Sequence, residues 1–270
     1  MANQTHIEQL TLGALSWNQW RMNHPEVIPD LSNADLSKSN FSTADLSRAN
    51  LRGTDLSWAN LRKANLNEAN LFRAKLVEVN LSGAHLERID SFWINLNMAN
   101  LQGANLPEAN LNQADLRNAN LSGANLYRAD LSGSDLRGAR LRMSNLSQAN
   151  LIEIQLSGAD VSGASFRMAD LRWSHLSLVD LSDIELSHAN LQGADLKQAN
   201  LCGANLDHTD LSGADLSRAD LRKANLSDAI LTGTNLQEAD LRNIPWLFIM
   251  QITLQPETNF TSALWDQPST

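Results

Sequence analysis

The sequence predicts an all-β chain wound into a stack of coils, and two features of one short repeat carry that prediction. At every fifth position from Leu31 to Leu241 the residue is Leu in 39 of 43 cases, the exceptions being Phe41, Ser91, Val161 and Phe166. Two positions earlier it is Ala in 29 of 43 cases, and one position earlier it is Asp or Asn in 35 of 43. The unit is therefore A-[DN]-L-x-x, and its register never slips over that span.

A helix is ruled out by geometry. Five residues advance an α-helix by about 500°, so leucines five apart would spiral around the cylinder and bury no common face. In an extended segment residues two apart point the same way, which places each Ala and the following Leu inside and the Asp or Asn between them outside. The last two positions of the unit are rich in Ser, Gly, Arg and Asn, which suit a turn, so the chain bends after every pentad. The backbone of such a coil is satisfied only when successive turns pair with those above and below at about 4.8 Å. The small residue two before each Leu implies a narrow, closely packed interior.

On these residues the run from Pro29 to about Ile244, roughly four-fifths of the chain, closely resembles the pentapeptide-repeat family. That resemblance implies a right-handed quadrilateral β-helix with four pentads per coil; the five-residue period alone leaves the number of faces open. Columns of residues 20 apart agree with four faces. Arg48, Glu68, Arg88, Glu108 and Arg128 alternate in sign as an ion-pair ladder would, and Phe72 and Phe92 form an aromatic pair.

The repeat divides the chain into three segments: 1–28 as an N-terminal capping helix and lead-in, 29–245 as the solenoid, and 246–270 as a C-terminal cap or dimerisation segment. A solenoid leaves unpaired strand edges at both ends, and these call for covers. Thr5-His6-Ile7-Glu8 reads as a capping box, and Ile7, Leu10, Ala14 and Trp17 recur at helical spacing until His24-Pro25, so one helix over 5–23 is expected. The stretch Trp17-Asn18-Gln19-Trp20-Arg21, followed by Pro29-Asp30-Leu31, resembles the lead-in of cyanobacterial members of the family. At the other end the pattern breaks at Ile244-Pro245-Trp246, and the apolar run to Met250 is to be buried on the last coil or in a homodimer formed through 246–264. Thr258 to Leu264 is pentad-like but one residue out of register, which predicts an excursion followed by a last partial coil.

Composition narrows the function. The chain carries 21 basic and 30 acidic residues, a net charge of −9, which disfavours a general grip on nucleic acid or anionic membrane. Its single cysteine, Cys202, forms no internal disulfide, and the N-terminus lacks a secretory pattern, so a reducing cytoplasm is the expected compartment. The longest apolar run, Trp246 to Met250, is too short to cross a membrane. The Asn80-Leu81-Ser82 triplet is a by-product of the repeat.

No catalytic residue, cofactor or metal ligand is expected. Phosphate loops, metalloprotease helices, nucleophile elbows and paired acids are missing from the sequence, and a filled interior leaves no substrate cavity. Ser91 replaces a core Leu, and no partner base accompanies it; Ile89 and Ile94 are expected to refill the gap, the alternative being a bulge that turns Phe92 inward. His188, His208 and Asp228 share a column within reach of a transition metal, but such surface histidines lack a supporting shell and read as bystanders.

The informative departures are apolar side chains on the outside, since large exposed patches mark contacts. With 20 residues per coil, Phe72, Phe92, Trp93, Ile152 and Trp173 share one side, and Trp58, Val77, Met98 and Leu178 the next. This is the expected partner surface. The leading functional expectation is a non-enzymatic binding or scaffold protein presenting a rigid face, about 50 Å long, to an unknown protein partner. The alternative is a DNA mimic that modulates a type II topoisomerase such as gyrase, as the family resemblance implies for some members. Against it, 16 of the 20 Asp residues occupy the repeat position where Asp or Asn is called for, with 16 Arg interspersed.

Overall fold

Every pentad turns on the two residues that follow its core position. At all 43 corners from Asn33 to Asn243 the second turn residue has a positive φ, between 50° and 72°, and the first does not. This is the signature of a type II turn, closed by a bond such as Thr54 N–H to the Leu51 carbonyl at 3.1 Å. In the computed structural model, which describes residues 2–266, these turns form the corners of a right-handed, four-sided β-helix.

Parallel bridges set the register. Each joins residues 20 apart, as in Asp30 to Asn50, Asp35 to Asp55, Asn40 to Asn60 and Asp45 to Asn65, which together define the four faces. The leucine column and its Ala partners fill the interior, almost all with no solvent exposure. At four of the Ala slots that hold Thr or Ser, the hydroxyl donates to a carbonyl 23 residues earlier: Thr54 to Leu31, Ser134 to Leu111, Thr209 to Leu186 and Thr234 to Leu211, all at 2.7–2.9 Å. Ser39 and Ser144 donate within their own turns, to the Ser37 and Leu141 carbonyls, and the buried Ser174 hydroxyl has no partner among the described residues.

The Asp/Asn position has a defined task. Its side-chain Oδ1 accepts the backbone N–H two residues on, as from Ser57 to Asp55 at 2.9 Å, and so braces the turn from outside. Asn adds a donor: Asn125 Nδ2 reaches Asn105 Oδ1 at 2.9 Å, and Asn145 Nδ2 reaches Asn125 Oδ1 at 3.2 Å, which links coil to coil.

At Ser91 the ladder continues through Asp90, paired with both Asn70 and Asn110, so there is no bulge. Ile89 and Ile94 are buried, Phe92 stays outside, and the Ser91 hydroxyl donates to the Asn110 carbonyl. Between residues 30 and 240 one bridge is missing among the described residues, Asp160 to Asp180. It falls where Val161 and Phe166 replace successive leucines; the smaller and larger side chains break the even spacing of the core and part the coils locally.

The ends differ in detail from expectation. The predicted helix over 5–23 is two helices, α1 (Gln4–Thr11) and α2 (Ala14–Asn23), divided at Gly13, whose φ of 101° no helix admits. The cap of α1 is Asn3, whose side chain accepts from Thr5 and His6 N–H, and not Thr5, which is the second residue of the helix. Trp17, Asn18 and Arg21 of α2 serve the edge of the first coil: Asn18 accepts Asp45 N–H at 2.8 Å and donates to the Thr43 carbonyl at 3.0 Å, and Arg21 donates to the Ser47 carbonyl at 3.0 Å. Side chains here supply the bonds that a further coil would have made.

At the C-terminus α3 (Trp246–Thr253) is the excursion. It buries Ile249 and Ile252 and leaves Leu247, Met250 and Leu254 exposed. The chain then rejoins the stack with Asn235 paired to Asn259 and Asp240 to Leu264, a step of 24 residues in place of 20. Among the described residues no helix is long and apolar enough to cross a membrane.

Candidate functional site

With the interior filled, the chemistry of the chain lies on its corners. A positive φ costs a non-glycine residue about 1–2 kcal/mol, and small or amide residues bear it most easily. Only 12 of the 43 corners are Gly; Trp58, Trp93, Met98, Trp173 and Leu178 stand at others. Their side chains project outward and remain about half exposed or more, Leu178 at 73%. Stability does not call for them there.

The predicted partner surface resolves into separate groups. Phe72 and Phe92 stack with centroids 6.1 Å apart, and Phe92 meets Trp93 at 4.7 Å. Arg52 lies over Phe72 at 4.3 Å and Arg73 over Trp93 at 4.7 Å, so cations cover the outer faces of this group. Ile152 lies three coils beyond Phe92 and Trp173 four coils beyond Trp93, and no ring contact joins Trp173 to Trp93 among the described residues. Trp58 and Leu178 belong to the adjoining side, and Lys38 sits 5.6 Å over the Trp58 ring.

Around Trp173 the corner forms a groove of about 570 Å³, lined by Gln113, Glu153, Gln155, His175 and Asp195 beside the indole. The indole lies flat along Gly193: a Cβ at that glycine would stand 2.2 Å from Trp173 Cζ3. The sequence reading found Trp173 but missed its companions. Their signal lay in two columns of 20-residue steps: Gln113 and Glu153 share the column of Trp173, and Gln155, His175 and Asp195 form the column two residues on.

The alternating column from Arg48 to Arg128 closes at one step, Arg88 Nε to Glu108 Oε2 at 2.8 Å. Arg128 turns to Gln148 instead. The shortest ion pairs run within a corner, from Asp to the Arg two residues later: Asp115–Arg117, Asp135–Arg137, Asp170–Arg172, Asp220–Arg222 and Asp240–Arg242 at 2.6–2.7 Å. A bidentate fit within one corner orders less of the side chain than a reach across coils. These bonds hold the Asp220 and Asp240 carboxyls below the usual carboxylate range.

In the column of His188, His208 and Asp228 the two rings lie 4.8 Å apart, and Asp228 Oδ2 is 3.8 Å from His208 Nε2. Asp207, absent from the sequence reading, pairs with His208 Nδ1 at 3.0 Å, and the donor atoms of His188, Asp207 and His208 lie within 4.8 Å of one another. Both histidines are exposed.

Among the described residues the interior of the square coil is filled by the Leu and Ala columns, and its exposed side chains stand on the outer corners of a repeat protein. The chain belongs to the pentapeptide-repeat family: the pattern described as Pentapeptide repeats matches in 8 copies, over 30–62, 49–88, 94–133, 105–142, 139–183, 180–218 and 209–244. Among solved structures it is similar to HetL, a pentapeptide repeat protein involved in heterocyst differentiation regulation from the cyanobacterium Nostoc sp. strain PCC 7120. That likeness is at 31% identity, covering 83% of this chain and 95% of HetL, with a TM-score of 0.45. QnrB1, a plasmid-mediated fluoroquinolone resistance protein, is similar at 23% identity over 72% of this chain and 90% of its own, with a TM-score of 0.32. A pentapeptide repeat protein of the Arabidopsis thaliana thylakoid lumen is similar at 24% identity over 53% of this chain and 79% of its own, with a TM-score of 0.19. No curated protein matches the chain.

Proposed function

We propose that the chain is a non-enzymatic scaffold that offers its solenoid corners to a protein partner. The observation that carries this reading is the placing of Trp58, Trp93, Trp173 and Leu178 at positive-φ corners, where bulky side chains are costly and solvent-exposed. Phe72, Phe92 and Ile152 extend the same surface as first turn residues of their corners. A stiff array of aromatics with cationic neighbours suits recognition, since large rings lose little entropy on binding. Affinity capture from the native host, compared between the intact chain and a variant lacking Trp58, Trp93 and Trp173, tests it. A partner held by the first and lost by the second is expected; identical captures would discard the surface.

The DNA-mimic reading draws on the net charge of −9. It requires free carboxylates in a regular row, whereas most Asp side chains here brace turns or pair with Arg of their own corner. A gyrase supercoiling assay unaffected by micromolar protein would retire it.

Self-association through 246–264 is a further element of the proposal, supported by the exposed Leu247, Met250 and Leu254 on the outer side of α3. Sedimentation across a concentration series should give a dimer that Leu247→Glu with Met250→Glu dissociates; a monomer at all concentrations would assign α3 to capping alone.

A further inference from the structure

Three exposed tryptophans occupy the second turn position of their pentads, Trp93 and Trp173 in one column and Trp58 in another, and the residue 20 earlier in sequence stands one coil below each. For Trp58 that residue is Lys38, with Nζ 5.6 Å from the ring; for Trp93 it is Arg73, with its guanidinium carbon 4.7 Å away. Phe72 follows the same rule with Arg52 at 4.3 Å. The coil spacing therefore brings a cation from the preceding coil onto the ring above it, and each of these rings is covered from within.

Trp173 breaks the rule. The residue one coil below it is Glu153, which has no ion pair or side-chain hydrogen bond among the described residues. The nearest cation in sequence, Arg172, is bound in bidentate fashion by Asp170, with Nε and Nη2 at 2.8 and 2.7 Å from its oxygens. On the coil above, Gly193 leaves the space in which the indole lies flat. Across the groove Asp195 shares Lys197 with Asp215 at 3.5 and 3.4 Å, which leaves the acidic side of the groove incompletely neutralised. An aromatic face 59% exposed, a free carboxylate one coil away and polar walls at Gln113, Gln155 and His175 surround a groove of about 570 Å³.

We infer that this groove binds a cationic side chain, an arginine of a basic peptide segment, which takes over Trp173 the place that Lys38 and Arg73 take over Trp58 and Trp93. The guanidinium stacks on the indole while Glu153 accepts its N–H groups, and the Gln113 and Gln155 amides offer acceptors to the peptide backbone. The inference rests on the scaffold reading for its biological setting and names the partner chemistry of one corner. Arginine is preferred to lysine because a planar cation can stack on the ring and hydrogen-bond a carboxylate together.

The test uses the full chain and a fluorescein-labelled nonapeptide with three arginines separated by glycine and serine, followed by anisotropy at low salt. Trp173→Ala, which leaves net charge unchanged, should weaken binding about tenfold, and Glu153→Gln a few-fold. Glu153→Lys should close the site by supplying the missing internal cation, again with a loss of about tenfold or more. Trp58→Ala and Trp93→Ala should stay within about twofold of the parent, and a citrulline version of the peptide should not bind. Circular dichroism checks that each variant keeps the parent fold. No binding of the arginine peptide, or equal losses from Trp93→Ala and Trp173→Ala, would overturn the inference. If the peptide fails to bind while the host partner is still lost on removing the three tryptophans, the groove falls and the scaffold surface stands.

Discussion

Trp17 Nε1 donates to the Asp45 carbonyl at 2.7 Å, from a ring with no exposed surface. This bond, with those of Asn18 and Arg21, closes the open edge of the first coil. Trp17→Phe removes one hydrogen bond and keeps the burial, so it should cost about 1 kcal/mol, whereas Trp17→Ala should cost about 3–5 kcal/mol. The larger change also frees a strand edge, and end-to-end oligomers of Trp17→Ala on size exclusion are the expected companion of its lowered Tm. A monomer with parental Tm would show the helices to be dispensable.

His6 couples the same cap to pH. Its Nδ1 accepts the Asp30 N–H at 3.0 Å, and burial pushes its pKa below the ordinary value of 6.5. An acceptor nitrogen must be unprotonated, so the neutral form belongs to the fold. Its stabilisation is complete above pH 6.5 and is lost as pH falls from there through the lowered folded value. Between pH 7 and pH 5 the protection factors of the α1 amides, taken relative to the intrinsic exchange rate at each pH, should fall, and His6→Gln should abolish that dependence. Protection factors in α1 that do not change over this range would refute the coupling.

The Asp/Asn position predicts an ordered series at Asn125, which accepts from Tyr127 N–H and Asn145 Nδ2 and donates to Asn105. Asn125→Asp keeps both acceptor roles and loses the donor, so a cost of up to about 1 kcal/mol is expected. Asn125→Ala strips all three and should cost about 1–3 kcal/mol. Midpoints of urea unfolding would rank them; equal midpoints would deny the side chain its role in bracing the turn.

The missing bridge between Asp160 and Asp180 marks the weakest level of the stack. Amides at Gly158, Val161, Gly163 and Asp180 should exchange faster than their equivalents one coil away. Restoring the repeat with Val161→Leu and Phe166→Leu together should raise Tm, by about 1 kcal/mol of added stability. A lower Tm would show that the enlarged core at Phe166 is itself well packed.

Parts of this detail were legible in the sequence and parts were not. Asp-Leu-Arg recurs at 115–117, 135–137, 170–172, 220–222 and 240–242, a visible sign of ion pairs inside a corner. In the alternating column from Arg48 to Arg128, by contrast, Arg88 and Glu108 alone meet. Long side chains choose among neighbours by conformer, and a column of charges does not say which conformer prevails. The break at Gly13 was written as a glycine in a helical pattern, and Asn3 as a capping residue two before Thr5; both are local signals that a stronger apolar period outweighed.

The sequence by itself determined the coil. A repeat of five with one large and one small inward residue requires the backbone to bend after each pentad and to stack, and the strictness of the period makes the order of inward residues unambiguous, while the four faces rest on the bridges between residues 20 apart. Tertiary structure alone decided what each corner faces, because residues 20 apart become neighbours only after stacking. Whether a tryptophan meets a lysine, an arginine or a glutamate depends on that stacking, and so does the groove at Trp173.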